Sequence, residues 1–168
     1  MRRVTTFLGT AAIVLMATSA YAQAPNLSGS WTVDAEKSAA MNPDAGGGGR
    51  GGGRGGGRGG GRGGGGAMMI AQDDNALTIT RTTQNGETKT VYMLDGSESK
   101  NMMAGRGGGE PTEQISVAKV AGGKITVTSG QTTTVYGMDG AWMTIGTTRP
   151  GRGGGDPTAT TQYYKKAM

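Results

Sequence analysis

Two short stretches, Leu77-Thr78-Ile79-Thr80 and Ile125-Thr126-Val127-Thr128, indicate the fold class because apolar residues alternate with threonine in both. Successive side chains of a β-strand point to opposite faces of the sheet, so each stretch predicts a strand with one apolar face. Turn dipeptides such as Asp95-Gly96 and Asp139-Gly140 follow at the spacing of hairpins in series. The pattern therefore predicts an all-β protein.

An internal repeat indicates how these strands are arranged. Thr90-Val91-Tyr92-Met93-Leu94-Asp95-Gly96 recurs as Thr134-Val135-Tyr136-Gly137-Met138-Asp139-Gly140, so Tyr92 and Tyr136 hold equivalent positions and should share a face. The strands run from residues 28–33 to residues 158–166. We predict an antiparallel up-and-down meander of about 8–10 strands that closes into a barrel with its first strand beside its last, because closure removes exposed edges. A β-sandwich is the alternative for the same strands.

The glycine content belongs mainly to one low-complexity tract. Of the 35 glycines in the 168 residues, 17 lie in residues 46–66, where Gly-Gly-Gly-Arg repeats every four residues. The tract has no apolar group to offset the entropy of ordering it, which predicts a disordered loop. Fewer residues precede it than a domain needs for its own core. We therefore expect residues 23–168 to form a single β domain interrupted by this loop.

The N-terminus has the pattern of an export signal. Arg2 and Arg3 form a basic start, an apolar stretch follows over residues 7–16, and Ala20-Tyr21-Ala22 is a small-x-small cleavage motif. The apolar stretch is shorter than the roughly 20 residues that span a bilayer. Residues 1–22 therefore predict a signal peptide rather than a membrane anchor, and a periplasmic or secreted product.

The composition excludes several kinds of chemistry. The chain has no His and no Cys, so thiol catalysis, disulfides and Ser-His-Asp triads are excluded. The acidic residues lie mostly at turns, where carboxylates usually cap backbone N–H groups. The expectation is a protein without catalytic activity, metal site or cofactor.

The first strand resembles that of a known family. Leu27-Ser28-Gly29-Ser30-Trp31, followed by Asp34, Lys37 and Ser38, is similar to the opening of small exported bacterial proteins of the lipocalin-like class. Gly29-x-Trp31 matches the lipocalin Gly-x-Trp signature, and the similarity continues to the closing Tyr164-Lys165-Lys166. The resemblance implies a barrel in which Trp31 closes one end, so its implied role is structural.

The barrel and its aromatic residues suggest a binding function. Tyr92, Tyr136 and Trp142 are the candidate ligand-binding residues, with methionines adding adaptable apolar surface. A small barrel with such walls could hold one apolar or amphiphilic ligand. In the alternative interpretation these side chains simply fill the interior.

A second hypothesis concerns the tract itself. Arg50, Arg54, Arg58 and Arg62 could contact anionic envelope components weakly, in a structural or envelope-interaction protein whose barrel is filled. The tract lacks aromatic residues for base stacking, which argues against specific nucleic-acid binding. Loop expansion without any function is the simpler alternative, since the entropy cost of closing a loop rises only slowly with its length. The sequence leaves the oligomeric state open.

Overall fold

Antiparallel strands form most of the chain that the computed structural model describes, namely residues 24–43, 67–83, 86–103 and 109–167. These residues contain one short helix, α1 (Ala35–Ala40), and a 3₁₀ turn at Arg152–Gly154. The strands are β1 (Gly29–Asp34), β2 (Met68–Gln72), β3 (Ala76–Thr83), β4 (Gly86–Met93), β5 (Glu98–Met103), β6 (Thr112–Ala121), β7 (Lys124–Ser129), β8 (Thr132–Asp139), β9 (Trp142–Arg149) and β10 (Thr158–Lys166).

The strands form one sheet that wraps into a nearly closed barrel. The strand order in the sheet is β4-β3-β2-β1-β10-β9-β8-β7-β6-β5, so sequence neighbours pair except β4 and β5, and the first strand lies between the second and the last. Trp31 joins the two neighbours of β1, because it pairs with Met68 of β2 on one side and with Lys166 of β10 on the other. The predicted barrel is confirmed, and the sandwich alternative is not what the chain adopts.

Side chains bridge the remaining gap, between β4 and β5, where the described residues form no backbone ladder. The Asn101 side chain accepts a hydrogen bond from the Val91 N–H and donates one to the Val91 carbonyl, both at 2.8 Å. The Ser99 hydroxyl oxygen accepts from the Met93 N–H at 2.7 Å. Both polar residues are buried. We call these contacts the β4–β5 seam, in which side chains of one strand replace the missing ladder.

The core lies inside the barrel, on the face that the alternation predicts. Leu77, Ile79, Ile125 and Val127 are all buried and belong to one hydrophobic cluster. Burying one such side chain stabilises a fold by about 1.5–3 kcal/mol. The N-terminal segment also contributes, because fully buried Leu27 accepts a hydrogen bond at its carbonyl from Trp31 Nε1 at 2.8 Å. Trp31 is thus a core residue, in agreement with the structural role that the resemblance implies.

Helix α1 covers the part of β10 that β1 leaves unpaired. The Asp34 carboxylate caps the helix by accepting from the Lys37 N–H at 3.0 Å. Ser38 Oγ accepts from the Tyr163 N–H at 2.8 Å, and the Asn42 side chain bonds both the N–H and the carbonyl of Thr161. The helix therefore continues the pairing of β10 after β1 has ended at Asp34.

The two ends of the barrel differ in their connections. The segments that join β1 to β2, β5 to β6 and β9 to β10 all leave from the same end, because the strands alternate in direction. We call this the loop end. The opposite end has short connections, including the turns at Gly122-Gly123 and Gly140-Ala141. The glycines at these turns have φ between 57° and 69°, which other residues rarely adopt.

Candidate functional site

The two repeat-related tyrosines meet inside the barrel. Tyr92 pairs with Leu77 and Tyr136 pairs with Ile125, so both side chains face the interior, as the repeat predicts. Their ring centroids are 6.4 Å apart with the planes tilted by 46°. The pair joins strands β4 and β8, which are far apart in the sheet order, so the interior is filled at this level.

Burial keeps these phenols neutral. Burial raises the pKa of Tyr92, an effect that the Tyr136 hydroxyl and the charge of Arg81 partly oppose. The pKa of Tyr136 rises strongly, again because burial disfavours the phenolate. Neither hydroxyl can serve as a base at neutral pH. Their chemistry in this site is hydrogen bonding and ring contact.

Arg81 is an exposed residue of the inner wall that the sequence analysis does not identify. It follows Leu77 and Ile79 at the same alternation and pairs with buried Met68, so it faces inward. Its Nε donates to Met68 Sδ at 3.4 Å, and its charge lowers the pKa of Tyr92, Tyr136 and Tyr164 against the larger effect of burial. Continuing the period-two pattern of β3 by one step would have identified this arginine.

The inward face changes character toward the loop end. Thr134 pairs with buried Val127 on one side and with Thr147 on the other, and Thr147 pairs in turn with Thr160. These three side chains, which we call the threonine row, lie next to each other on β8, β9 and β10. They are half-exposed, whereas Val127, which continues the row on β7, and Ile125 and Ile145 at the adjacent level are buried. Solvent therefore reaches the interior of the barrel from the loop end.

Trp142 lies on the outer face, apart from the two tyrosines. Its neighbour Met143 is fully buried, so the alternation of β9 turns the indole outward. There the Lys37 ammonium lies 3.4 Å from the centroid of its ring and 4.5 Å from that of Tyr163. Asp139 completes the group at 3.9 Å from Lys37 Nζ. We call this group the Lys37 cluster; it holds α1 against the outside of β9 and β10.

Replacing Lys37 by Met should loosen this attachment. A partly exposed cation–π contact contributes about 0.5–1 kcal/mol, so we expect a loss of unfolding free energy of that size and a change in Trp142 fluorescence. Chemical denaturation followed by fluorescence measures both quantities. Lys89→Met, an exposed lysine on β4, is the matched control and should change neither. Identical curves for Lys37→Met and the parent protein would contradict an attachment through this lysine.

The remaining sequence predictions fall partly outside the described residues. Arg50, Arg54, Arg58 and Arg62 are among the residues that the structure does not describe, so polyanion binding stays a prediction. Within the described ranges, no group of three or more acidic residues is placed to hold a metal ion. The same ranges contain no helix long and apolar enough to cross a membrane.

Comparisons with known proteins bear on the fold. No family model and no curated protein matches the sequence. Among solved structures, the chain is similar to the zebrafish ileal bile acid-binding protein in complex with cholic acid, with a TM-score of 0.55 and 18% sequence identity. The match covers 83% of this chain and 98% of the zebrafish chain. At this identity the likeness establishes a shared β-barrel architecture.

Proposed function

We propose that this protein is an exported barrel that binds a small amphiphilic molecule at its loop end, without catalysing a reaction. The observation that carries the proposal is the change along the inward face, from buried apolar residues to the half-exposed threonine row. Inward side chains that solvent reaches line space that a ligand can fill, and small barrels commonly use such space.

Two further observations support the proposal. The zebrafish barrel of similar architecture is described in complex with cholic acid, an amphiphile. The inner wall here offers hydroxyl groups and the Arg81 guanidinium, groups that can bind and orient a ligand, while the neutral tyrosines supply no general base. Export rests on the leader-like residues 1–22.

A steric test separates binding inside the barrel from binding on its surface. Thr134→Phe places a large ring in the inward space, whereas Thr133→Phe places the same ring on the outer face of the same strand. We expect native mass spectrometry and calorimetry to detect binding of at least one of cholate, dodecanoate and dodecanol to the parent protein. Thr134→Phe should weaken that binding at least tenfold, and Thr133→Phe should leave it unchanged.

Two results would count against the proposal. Failure of all three molecules to bind would contradict the binding function, and equal loss in both phenylalanine variants would contradict a site inside the barrel. The export part has its own readout in the same preparation. Protein recovered from an exporting host should have the mass of a chain that begins at Gln23. A mass that includes residues 1–22 would contradict cleavage at this position.

A further inference from the structure

The threonine row differs from several other hydroxyl groups of the barrel interior. The Ser116 and Ser129 hydroxyls lie 2.5 Å apart and bond each other, and the Tyr164 hydroxyl donates to Gln162 Oε1 at 2.8 Å. By contrast, the hydroxyls of Thr134, Thr147 and Thr160 have no hydrogen-bond partner among the described residues. Three adjacent inward hydroxyls are therefore available to a bound molecule.

The chemistry of the row limits what it can bind well. Each hydroxyl is both a donor and an acceptor, so it is best satisfied by groups that can also do both, such as other hydroxyls. An unbranched alkyl chain lying on the row would displace water and leave the hydroxyls unpaired, which disfavours binding. The γ-methyl groups of the same threonines can still contact an apolar frame. The row thus suits a ligand whose apolar frame carries hydroxyl groups.

Arg81 adds a charge requirement. Within the described residues, its guanidinium makes no ion pair with a carboxylate, and its hydrogen bond to Met68 uses only Nε. The remaining N–H groups form a fork that matches carboxylate or sulfonate oxygens. Its charge also acts on Tyr136 and Tyr164, which belong to the strands of Thr134 and Thr160. Register places Arg81 and the row on the inner face of the same barrel, so the positive charge and the hydroxyls both face its interior.

From these contacts we infer that the ligand is an organic anion with several hydroxyl groups, held by the threonine row and by Arg81. This inference rests on the proposed function and specifies its ligand class. It distinguishes this barrel from a carrier of plain acyl chains, for which three unpaired hydroxyls would be unfavourable.

Three matched probes test the need for hydroxyl groups and the need for a negative charge separately. Their binding is measured by calorimetry on the protein after removal of residues 1–22. Cholate carries the carboxylate and the hydroxyls, 5β-cholanate keeps the charge and the ring frame without hydroxyls, and methyl cholate keeps the hydroxyls without the charge. We expect cholate to bind at least tenfold more tightly than either of the other two probes.

Variants of the protein test which residues cause the preference for cholate over the other two probes. The Thr134→Val/Thr147→Val double variant keeps the side-chain shape and removes two hydroxyls, and it should lose the preference for cholate over 5β-cholanate. Thr133→Val/Thr148→Val is the matched outward pair on the same strands and should bind as the parent does. Arg81→Gln should lose the preference for cholate over methyl cholate. Circular dichroism and a thermal melt confirm that each variant folds.

The outcomes separate this inference from the proposed function. Equal affinities for cholate and 5β-cholanate, or an unchanged preference in the inward threonine variant, would overturn the inference while leaving a binding barrel. An Arg81→Gln variant that still prefers cholate over its ester would overturn the charge requirement. Absence of binding for all probes and for the neutral and acyl ligands tested above would instead remove the proposed function itself.

Discussion

Replacing Trp31 by alanine should lower the free energy of unfolding by about 3–5 kcal/mol, the usual loss when a buried aromatic side chain is truncated. The side chain is only 2% exposed and lies where β1 joins β2 to β10. Its removal leaves a cavity in the core and also leaves the Leu27 carbonyl without the indole N–H that it accepts. Urea denaturation followed by circular dichroism measures the change.

A second variant separates packing from hydrogen bonding at this position. Trp31→Phe keeps an aromatic ring but has no N–H for Leu27, so its loss should be clearly smaller than that of the alanine variant. Trp31→Phe also keeps an aromatic ring near the Lys166 ammonium, which lies 5.9 Å from the centroid of the indole ring, whereas Trp31→Ala does not. If Trp31→Ala unfolds within about 1 kcal/mol of the parent, the residue does not hold the first and last strands together in the way that its burial indicates.

Much of the fold follows from the two-residue period of apolar side chains and from the internal repeat. The alternation in residues 77–80 and 125–128 correctly places Leu77, Ile79, Ile125 and Val127 in one interior. The repeat likewise places Tyr92 and Tyr136 on the same inner face. These predictions succeed because they depend on local geometry, in which each residue of a strand determines the side taken by the next.

What the sequence does not indicate depends on contacts between distant residues. Helix α1 has six residues, too few to show a helical period, and it is stabilised by the Asp34 cap and by bonds from Ser38 and Asn42 to β10. The pairing of β1 with β10 is expected from closure of the sheet, but its register joins residues more than 100 positions apart. No local pattern specifies that register or the contacts of the helix.

The candidate site was incomplete for a different reason. Aromatic character alone does not distinguish Tyr92 and Tyr136, which face the interior, from Trp142, which the alternation of β9 turns to the outside. The threonine row was overlooked because threonine is common on both faces of these strands. Register distinguishes the two faces: Thr134 lies opposite buried Val127, whereas its neighbour Thr133 lies opposite Thr128 on the outer face.

The β4–β5 seam should be the other position where one substitution has a large effect. Asn101→Ala removes both the acceptor and the donor that serve Val91, and each buried backbone group left unpaired costs about 1–3 kcal/mol. We therefore expect a loss of about 2–4 kcal/mol in urea denaturation, somewhat reduced if water enters the seam. Hydrogen exchange should show faster exchange at the Val91 amide, because this amide donates to the side chain of Asn101.

Lys100 provides the matched control on the same strand. Its side chain points outward and is 61% exposed, with a long ion pair to Glu113 at 3.7 Å, so Lys100→Ala should change stability by less than about 1 kcal/mol. Ser99→Ala should fall between the two, because it removes a single acceptor from the Met93 N–H. If Val91 stays protected and Asn101→Ala unfolds with the parent, closure of the barrel cannot depend on these side chains, and the opposing edges of β4 and β5 must be held by their other neighbours alone.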